Sequence, residues 1–108
     1  MEIGITDRWY RLIASGQKVI EGRKGSPTYS RLKVGNYVIF LNESTGERLV
    51  KSIAAVNKYP DVRTMLLTEG LDRVLPGVSS IEEGVAIYMS FWNEADVQRM
   101  GVLALCLL

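Results

Sequence analysis

The chain ends in eight residues without a polar side chain. Residues 101–108 read Gly-Val-Leu-Ala-Leu-Cys-Leu-Leu. A strand with one solvated face alternates apolar and polar residues, whereas a strand buried on both faces is a continuous apolar run. We therefore predict that residues 101–108 form an interior strand of a sheet. The run is too short to cross a bilayer, which needs roughly 18 apolar residues.

Three more strands are predicted from β-branched and aromatic residues bounded by turn residues. They lie at 18–23, 37–41 and 48–56. Ser80 and Glu83 have the spacing of a capping box and precede apolar residues at helical spacing, which predicts a helix over 81–92. Asp61 can likewise cap a short helix that runs through Leu67. Strands at both ends of the chain, with helices between them, indicate one α+β domain spanning residues 1–108.

The composition excludes several kinds of chemistry. The chain has no histidine, so the commonest metal ligand and the commonest base near neutral pH are missing. The single cysteine, Cys106, allows neither an internal disulfide nor a cysteine metal cluster. We expect no metal, no cofactor and no membrane association. Because the first residues do not resemble a secretory signal, we predict an intracellular protein, cytoplasmic or alternatively nuclear.

Charge is distributed unevenly along the chain. Residues 8–33 contain seven cations and one carboxylate, a net charge of +6, although the whole chain carries only +1. Residues 61–96 contain seven carboxylates and two cations, a net charge of −5. The basic segment is either one solvated face or a patch that meets an anionic ligand.

A short motif lies inside the basic segment. Residues 16–23 have the form GxKxxExR, with Gly16, Lys18, Glu21 and Arg23 at its fixed positions. The motif resembles the signature of the ASCH domain, named after an activating signal cointegrator. Further blocks occur in the order of that family, and they include Leu32–Phe40, Leu75-Pro76-Gly77, the helix with Tyr88, and Gly101-Val102.

The resemblance implies a PUA-like β-barrel with flanking helices and a cleft near the motif. It also implies a link to RNA, because members of the family include RNA-binding modules, ribonucleases and amidohydrolases that act on acylated cytidine. We therefore expect a protein that binds single-stranded RNA, or a nucleotide-like ligand, in a basic cleft. Fold alone does not choose among these activities.

Candidate site residues follow from the motif and the nearby cations and aromatics. Lys18 and Glu21 are the candidate catalytic residues. The candidate ligand-binding residues are Lys18, Arg23, Lys24, Tyr29 and Tyr10. Glu21 and Arg23 share one face of a regular strand and can pair, whereas Lys18 joins them only if the chain before the strand re-aims it. We expect Lys18 and Arg23 to be partly exposed on one concave surface, and Tyr10 and Tyr29 to be exposed for base stacking.

Several activities stay open on the sequence alone. A metal-independent ribonuclease could use Lys18 to stabilise phosphate charge while the RNA 2′-hydroxyl attacks. An amidohydrolase of the kind that the resemblance suggests needs a hydroxyl where this chain has Glu21, with Glu69 as the nearest match for an acid/base partner. A binding module needs only the cations and Tyr29. A protein–protein module would instead use the acidic helices.

Overall fold

A computed structural model describes the whole chain, residues 1–108, as a five-stranded sheet with six helices. The strands are β1 (Glu2–Ile5), β2 (Ile20–Lys24), β3 (Tyr37–Asn42), β4 (Arg48–Tyr59) and β5 (Val102–Leu107). The helices are α1 (Asp7–Ala14), α2 (Pro27–Ser30), α3 (Val62–Glu69), α4 (Leu71–Val74), α5 (Ile81–Met89) and α6 (Glu94–Met100). The predicted α+β class is confirmed.

The sheet curls because the two halves of the long strand β4 pair with different neighbouring strands. The strand order is β1-β3-β4-β5-β2, which leaves β1 and β2 as the edges. The first part of β4 pairs with β3, and the part from Ile53 to Tyr59 pairs with β5, with a register shift between Ile53 and Ala55. A bulge of this kind bends and twists a strand. The sheet forms a half-barrel whose two edges are not paired to each other.

The apolar C-terminal strand lies inside the sheet, as its sequence predicts. Val102 and Ala104 belong to a core beneath the helices, whereas Leu103 and Leu105 belong to a second core inside the half-barrel. The strand is therefore buried on both faces, which explains the absence of alternation. No helix of the structure has the length and the apolar character that a membrane crossing requires.

Two helix starts follow their sequence signals. Asp61 accepts a hydrogen bond from the Thr64 N–H, and Ser80 accepts one from the Glu83 N–H, as capping residues do. The helix predicted over 81–92 ends earlier, at Met89, and the chain then tightens into a turn.

Other elements differ from their predictions at the start of the chain. The strand β1 was not predicted, since four residues give little periodic signal and its parallel pairing with β3 is long-range. The strand expected from residue 18 begins at Ile20. Lys18 lies before it in a turn, where its N–H bonds to the Leu12 carbonyl.

Candidate functional site

A cavity of about 240 Å³ lies where the two edges of the half-barrel face each other. Gly4 and Ile5 of β1 line one side, and Glu21, Gly22 and Arg23 of β2 line the other. Large apolar side chains from α1, from the chain after α4, and from α5 and the turn after it form the walls; they are Trp9, Leu75, Ile87, Tyr88, Phe91 and Trp92. Helices therefore cover the gap between the unpaired edges of the half-barrel, and the cavity lies beneath them.

The chain before β2 places Lys18 at the floor of this cavity. Gly16 follows α1 with a φ of 82°, a left-handed conformation that glycine adopts without strain, and it ends the helix. The next residues turn back so that the Lys18 side chain lies on the same side as Glu21, with Nζ 3.3 Å from Oε1 of Glu21. In a regular strand Lys18 would face away from Glu21 and Arg23, so the sequence predicted that only a turn before the strand could bring the three side chains together.

Lys18 is almost fully buried and all of its hydrogen-bond donors are engaged. Its side chain is 1% exposed. An ammonium group has three donors, and here they meet Glu21, the Ile20 carbonyl at 2.6 Å and the Val74 carbonyl at 2.5 Å. Burial lowers the pKa of Lys18, and the attraction of Glu21 offsets this shift only in part. The expectation that Lys18 is partly exposed is therefore wrong.

Glu21 connects Lys18 to Arg23. Arg23 donates to Oε2 of Glu21 from Nη2 at 2.7 Å and from Nε at 3.1 Å, which confirms that the two residues share a face of β2. Burial alone would raise the pKa of Glu21, but the charges and hydrogen bonds of Lys18 and Arg23 outweigh it and hold that pKa below its ordinary value. Glu21 is therefore ionised at neutral pH, and the buried trio carries two cations for one carboxylate.

A tyrosine beside the trio has an unsatisfied hydroxyl. Tyr88 is 7% exposed, and its Oη has no hydrogen-bond partner in the protein. It lies against Gly22, where an added Cβ would stand 2.8 Å from that oxygen, so only glycine permits this approach. Burial, and then the charge of Glu21, raise the pKa of Tyr88 far above its ordinary value. The hydroxyl stays protonated and has a hydrogen to donate.

Comparison with known proteins identifies the family. Residues 3–103 match the family described as the ASCH domain. This chain belongs to the ASCH family. No protein of curated function matches the sequence significantly.

Three solved structures resemble this ASCH domain. The crystal structure of hypothetical protein PH0355 is 36% identical, has a TM-score of 0.90 and aligns over 98% of this chain and 94% of its own. The solution structure of protein PF0455 from Pyrococcus furiosus is also 36% identical, with a TM-score of 0.79 and coverages of 98% and 93%. ASCH from Zymomonas mobilis is 15% identical, with a TM-score of 0.66, and aligns over 99% of this chain and 65% of its own. The last likeness is one of fold, and the expected PUA-like architecture is confirmed.

Three of the five predicted ligand-binding residues do not line the cavity. Tyr10 is 4% exposed and packs in the core inside the half-barrel, so the prediction of an exposed Tyr10 is wrong. The α1 helix turns Tyr10 and Ile13 toward the sheet, and Trp9 faces the cavity instead. Tyr29 is half-buried, with its ring 5.5 Å from the Arg23 guanidinium. Lys24 pairs with Asp96 at 3.0 Å.

The basic segment does not produce a basic cleft. Four of its seven cations form ion pairs with carboxylates of the same chain; these are Arg11, Lys18, Arg23 and Lys24. The cavity itself is lined by two cations and two carboxylates, because Glu43 stands opposite the trio. The expectation of a basic cleft is therefore wrong: the cavity has as many carboxylates as cations, and Arg11 and Lys24 pair with carboxylates from outside the segment.

Glu69 lies in a separate polar cluster. It accepts hydrogen bonds from the Tyr59 hydroxyl at 2.5 Å and from Asn57 at 2.8 Å, and it does not line the cavity. Burial and the bond to Glu69 raise the pKa of Tyr59 to about 12. Because Glu69 is held there, it does not supply the acid/base partner for Lys18 that the sequence suggested.

Sequence reasoning missed the α5 wall. Ile87, Tyr88, Phe91 and Trp92 reach the cavity, and none of them was among the candidate site residues. Phe91 is 73% exposed, and a large apolar side chain left in solvent is a signal of a binding surface. The sequence alone did not predict this exposure, because the predicted helix runs over 81–92 and includes Phe91. In the structure α5 ends at Met89, and Phe91 lies in the turn that follows.

Proposed function

We propose that this ASCH domain binds one nucleobase in the cavity, either as a free nucleoside or as an unstacked base of single-stranded RNA. The observation that carries the proposal is the pairing of aromatic walls, Trp9 and Trp92, with the charged floor of Glu21 and Arg23. Aromatic faces stack on bases, and an arginine fork and a carboxylate can read polar edges.

The size of the cavity supports a ligand of this class. Pockets for drug-sized molecules occupy about 300–1,000 Å³, and this cavity of about 240 Å³ is smaller. A single planar base with part of its sugar matches that space better than a folded RNA element does. The near balance of charge at the cavity also favours recognition of a base over recognition of a phosphate chain.

The test uses the two tryptophans of the chain, because both line the cavity. Nucleosides and short single-stranded RNA would be titrated into the protein while tryptophan fluorescence is followed. We expect a saturable change with at least one nucleoside. Arg23→Gln should weaken this binding about tenfold or more, since a hydrogen bond to a charged group is worth about 1.5–3 kcal/mol. Arg31→Gln, a change of the same type at an exposed cation without an ion pair, is the control.

Salt dependence separates the two sources of the base. Each phosphate contact to a single strand lowers the binding constant by about 0.7 log unit per tenfold rise in salt. RNA that binds more tightly than the nucleoside, and more weakly as salt rises, identifies a strand as the ligand. Equal affinity without a salt effect identifies the free nucleoside. If neither ligand changes the fluorescence or binds by calorimetry at low salt, the proposal is wrong.

Hydrolysis is a second candidate, favoured by the two perturbed ionisable groups, Lys18 and Glu21, that line the cavity. The engagement of all three Lys18 donors weighs against that residue acting as a base in this conformation. Mass spectrometry of single-stranded RNA and of an acylated nucleoside after incubation with the protein tests it. A product that forms with the wild type and not with Lys18→Met would support catalysis over simple binding.

A further inference from the structure

One polar group that lines the cavity, the hydroxyl of Tyr88, is buried without a hydrogen-bond partner in the fold. Tyr88 is 93% buried, given its 7% exposure, and Oη makes no hydrogen bond within the protein. Leaving a buried donor unpaired costs about 1–3 kcal/mol. Such groups are uncommon in native proteins, and each one calls for a physical reason.

The surroundings of the hydroxyl offer it no internal acceptor. Glu21 is close enough to raise the pKa of Tyr88, but no hydrogen bond joins its carboxylate to the hydroxyl. The other near group is the Gly22 backbone, and a bond from the Gly22 N–H would still leave the phenol hydrogen without an acceptor. The acceptor for the phenol hydrogen therefore comes from outside the chain, from water or from a ligand.

The position of Tyr88 points to the ligand as that partner. Tyr88 and Gly22 both line the cavity, and the Tyr88 ring lies 5.0 Å from that of Trp92, another cavity residue. We propose that the Tyr88 hydroxyl selects the ligand by donating a hydrogen bond to an acceptor atom of the bound base, a carbonyl oxygen or a ring nitrogen. This inference rests on the proposed function and adds the residue that reads the base. Oη is closed to solvent in this conformation, so donating to the ligand requires the phenol to turn toward it on binding.

A second tyrosine supplies a matched control. The Tyr59 hydroxyl donates to Glu69 and lies outside the cavity. Tyr88→Phe removes a hydroxyl without a partner, so the free energy of unfolding should stay the same or rise. Tyr59→Phe removes a hydroxyl that binds a buried carboxylate, so the free energy of unfolding should fall. The two variants differ from the wild type by one oxygen each.

The decisive experiment measures both affinity and stability for the two variants. With the nucleoside that binds the wild type most tightly, Tyr88→Phe should weaken binding about tenfold, the effect of about 1.4 kcal/mol, and Tyr59→Phe should leave it unchanged. An analogue of that nucleoside with its acceptor ring nitrogen or carbonyl replaced by a C–H group should lose affinity for the wild type. The same replacement should have little effect on binding to Tyr88→Phe, because that variant no longer makes the bond.

The outcomes separate this inference from the proposed function. If no nucleobase ligand binds the wild type, the proposed function fails and this inference with it. If the wild type binds and Tyr88→Phe binds equally well, only the role of Tyr88 is overturned. A loss of stability in Tyr88→Phe similar to that in Tyr59→Phe would show that the hydroxyl has a partner inside the protein, which also overturns the inference.

Discussion

Two buried carboxylates in this domain have similar neighbours. Around Glu69 the tyrosine hydroxyl is hydrogen-bonded within the chain, whereas around Glu21 it is not. Glu21 is 6% exposed and Glu69 is 8% exposed, and each lies near an arginine and a tyrosine. At Glu69 the tyrosine donates to the carboxylate, a side-chain amide donates as well, and Arg73 stays at 3.9 Å. At Glu21 two cations share one carboxylate and the tyrosine bonds to nothing.

The difference separates a structural cluster from a binding site. The Glu69 cluster is satisfied by the chain itself, so it fixes β4 against α3 and needs no ligand. The Glu21 cluster has two cations for one carboxylate, and beside it the Tyr88 hydroxyl lines the cavity without a hydrogen-bond partner. Buried polar groups in natural proteins are normally paired, and the exceptions occur mainly at functional sites.

The largest expected effect comes from removing the central carboxylate of the cavity. Glu21→Gln leaves Lys18 and Arg23 buried together without a counter-charge. Breaking a buried ion pair from one side costs about 3–5 kcal/mol. Urea unfolding followed by circular dichroism should show a loss of this size.

The control for this change is Glu47→Gln. Glu47 also pairs with an arginine, at 2.6 Å from Arg11, but both side chains are about half exposed. Exposed pairs contribute little, so this variant should unfold close to the wild type. Equal losses for the two variants would contradict the view that the Glu21 network is set apart by its burial.

Removing the buried lysine should cost less than removing its carboxylate. Lys18→Met leaves Glu21 and Arg23 as a balanced pair, whereas Glu21→Gln leaves two like charges. The remaining cost comes from the Ile20 and Val74 carbonyls, which lose their donor, and an unsatisfied buried group costs about 1–3 kcal/mol. The same unfolding experiment measures it. A Lys18→Met loss larger than that of Glu21→Gln would mean that the lysine, and not the carboxylate, holds the trio together.

Acid should remove the contribution of Glu21 to stability. The pKa of Glu21 is lowered in the folded protein, so the folded state binds its proton less readily than the unfolded state, where glutamate titrates at about 4.3. The stabilisation is complete above that value and is lost as pH falls through the lower, folded value. The difference in unfolding free energy between wild type and Glu21→Gln should therefore be constant near neutral pH and shrink in acid. A difference that does not change down to the acid transition would contradict the lowered pKa.

The sequence predicted those features that depend on neighbouring residues. The caps at Asp61 and Ser80 and the shared face of Glu21 and Arg23 follow from local spacing, and the structure confirms them. The interior position of β5 follows from its unbroken apolar run.

The rest depends on contacts that local spacing does not encode. Lys18 is buried because the Val74 carbonyl, 56 residues away, accepts from it. The basic segment was overestimated because its partners, Glu47 and Asp96, lie elsewhere in the chain. Tyr10 was expected to be exposed because a short helix has apolar residues on more than one side, and only the packing of α1 decides which side meets the sheet.

The smallest expected effect concerns the arginine of the Glu69 cluster. Arg73→Gln should change the free energy of unfolding by no more than a few tenths of a kcal/mol, as for most exposed pairs, because the Arg73 side chain is 57% exposed and Glu69 keeps its bonds from Tyr59 and Asn57. The same substitution at Arg23 should weaken nucleoside binding, so the two variants form a matched pair around the two carboxylates. Thermal unfolding and a nucleoside titration of both variants would measure these effects. If Arg73→Gln cost as much as about 2 kcal/mol, Glu69 would depend on a neighbouring arginine in the way that Glu21 does. The contrast between the Glu69 cluster and the Glu21 cluster would then not hold.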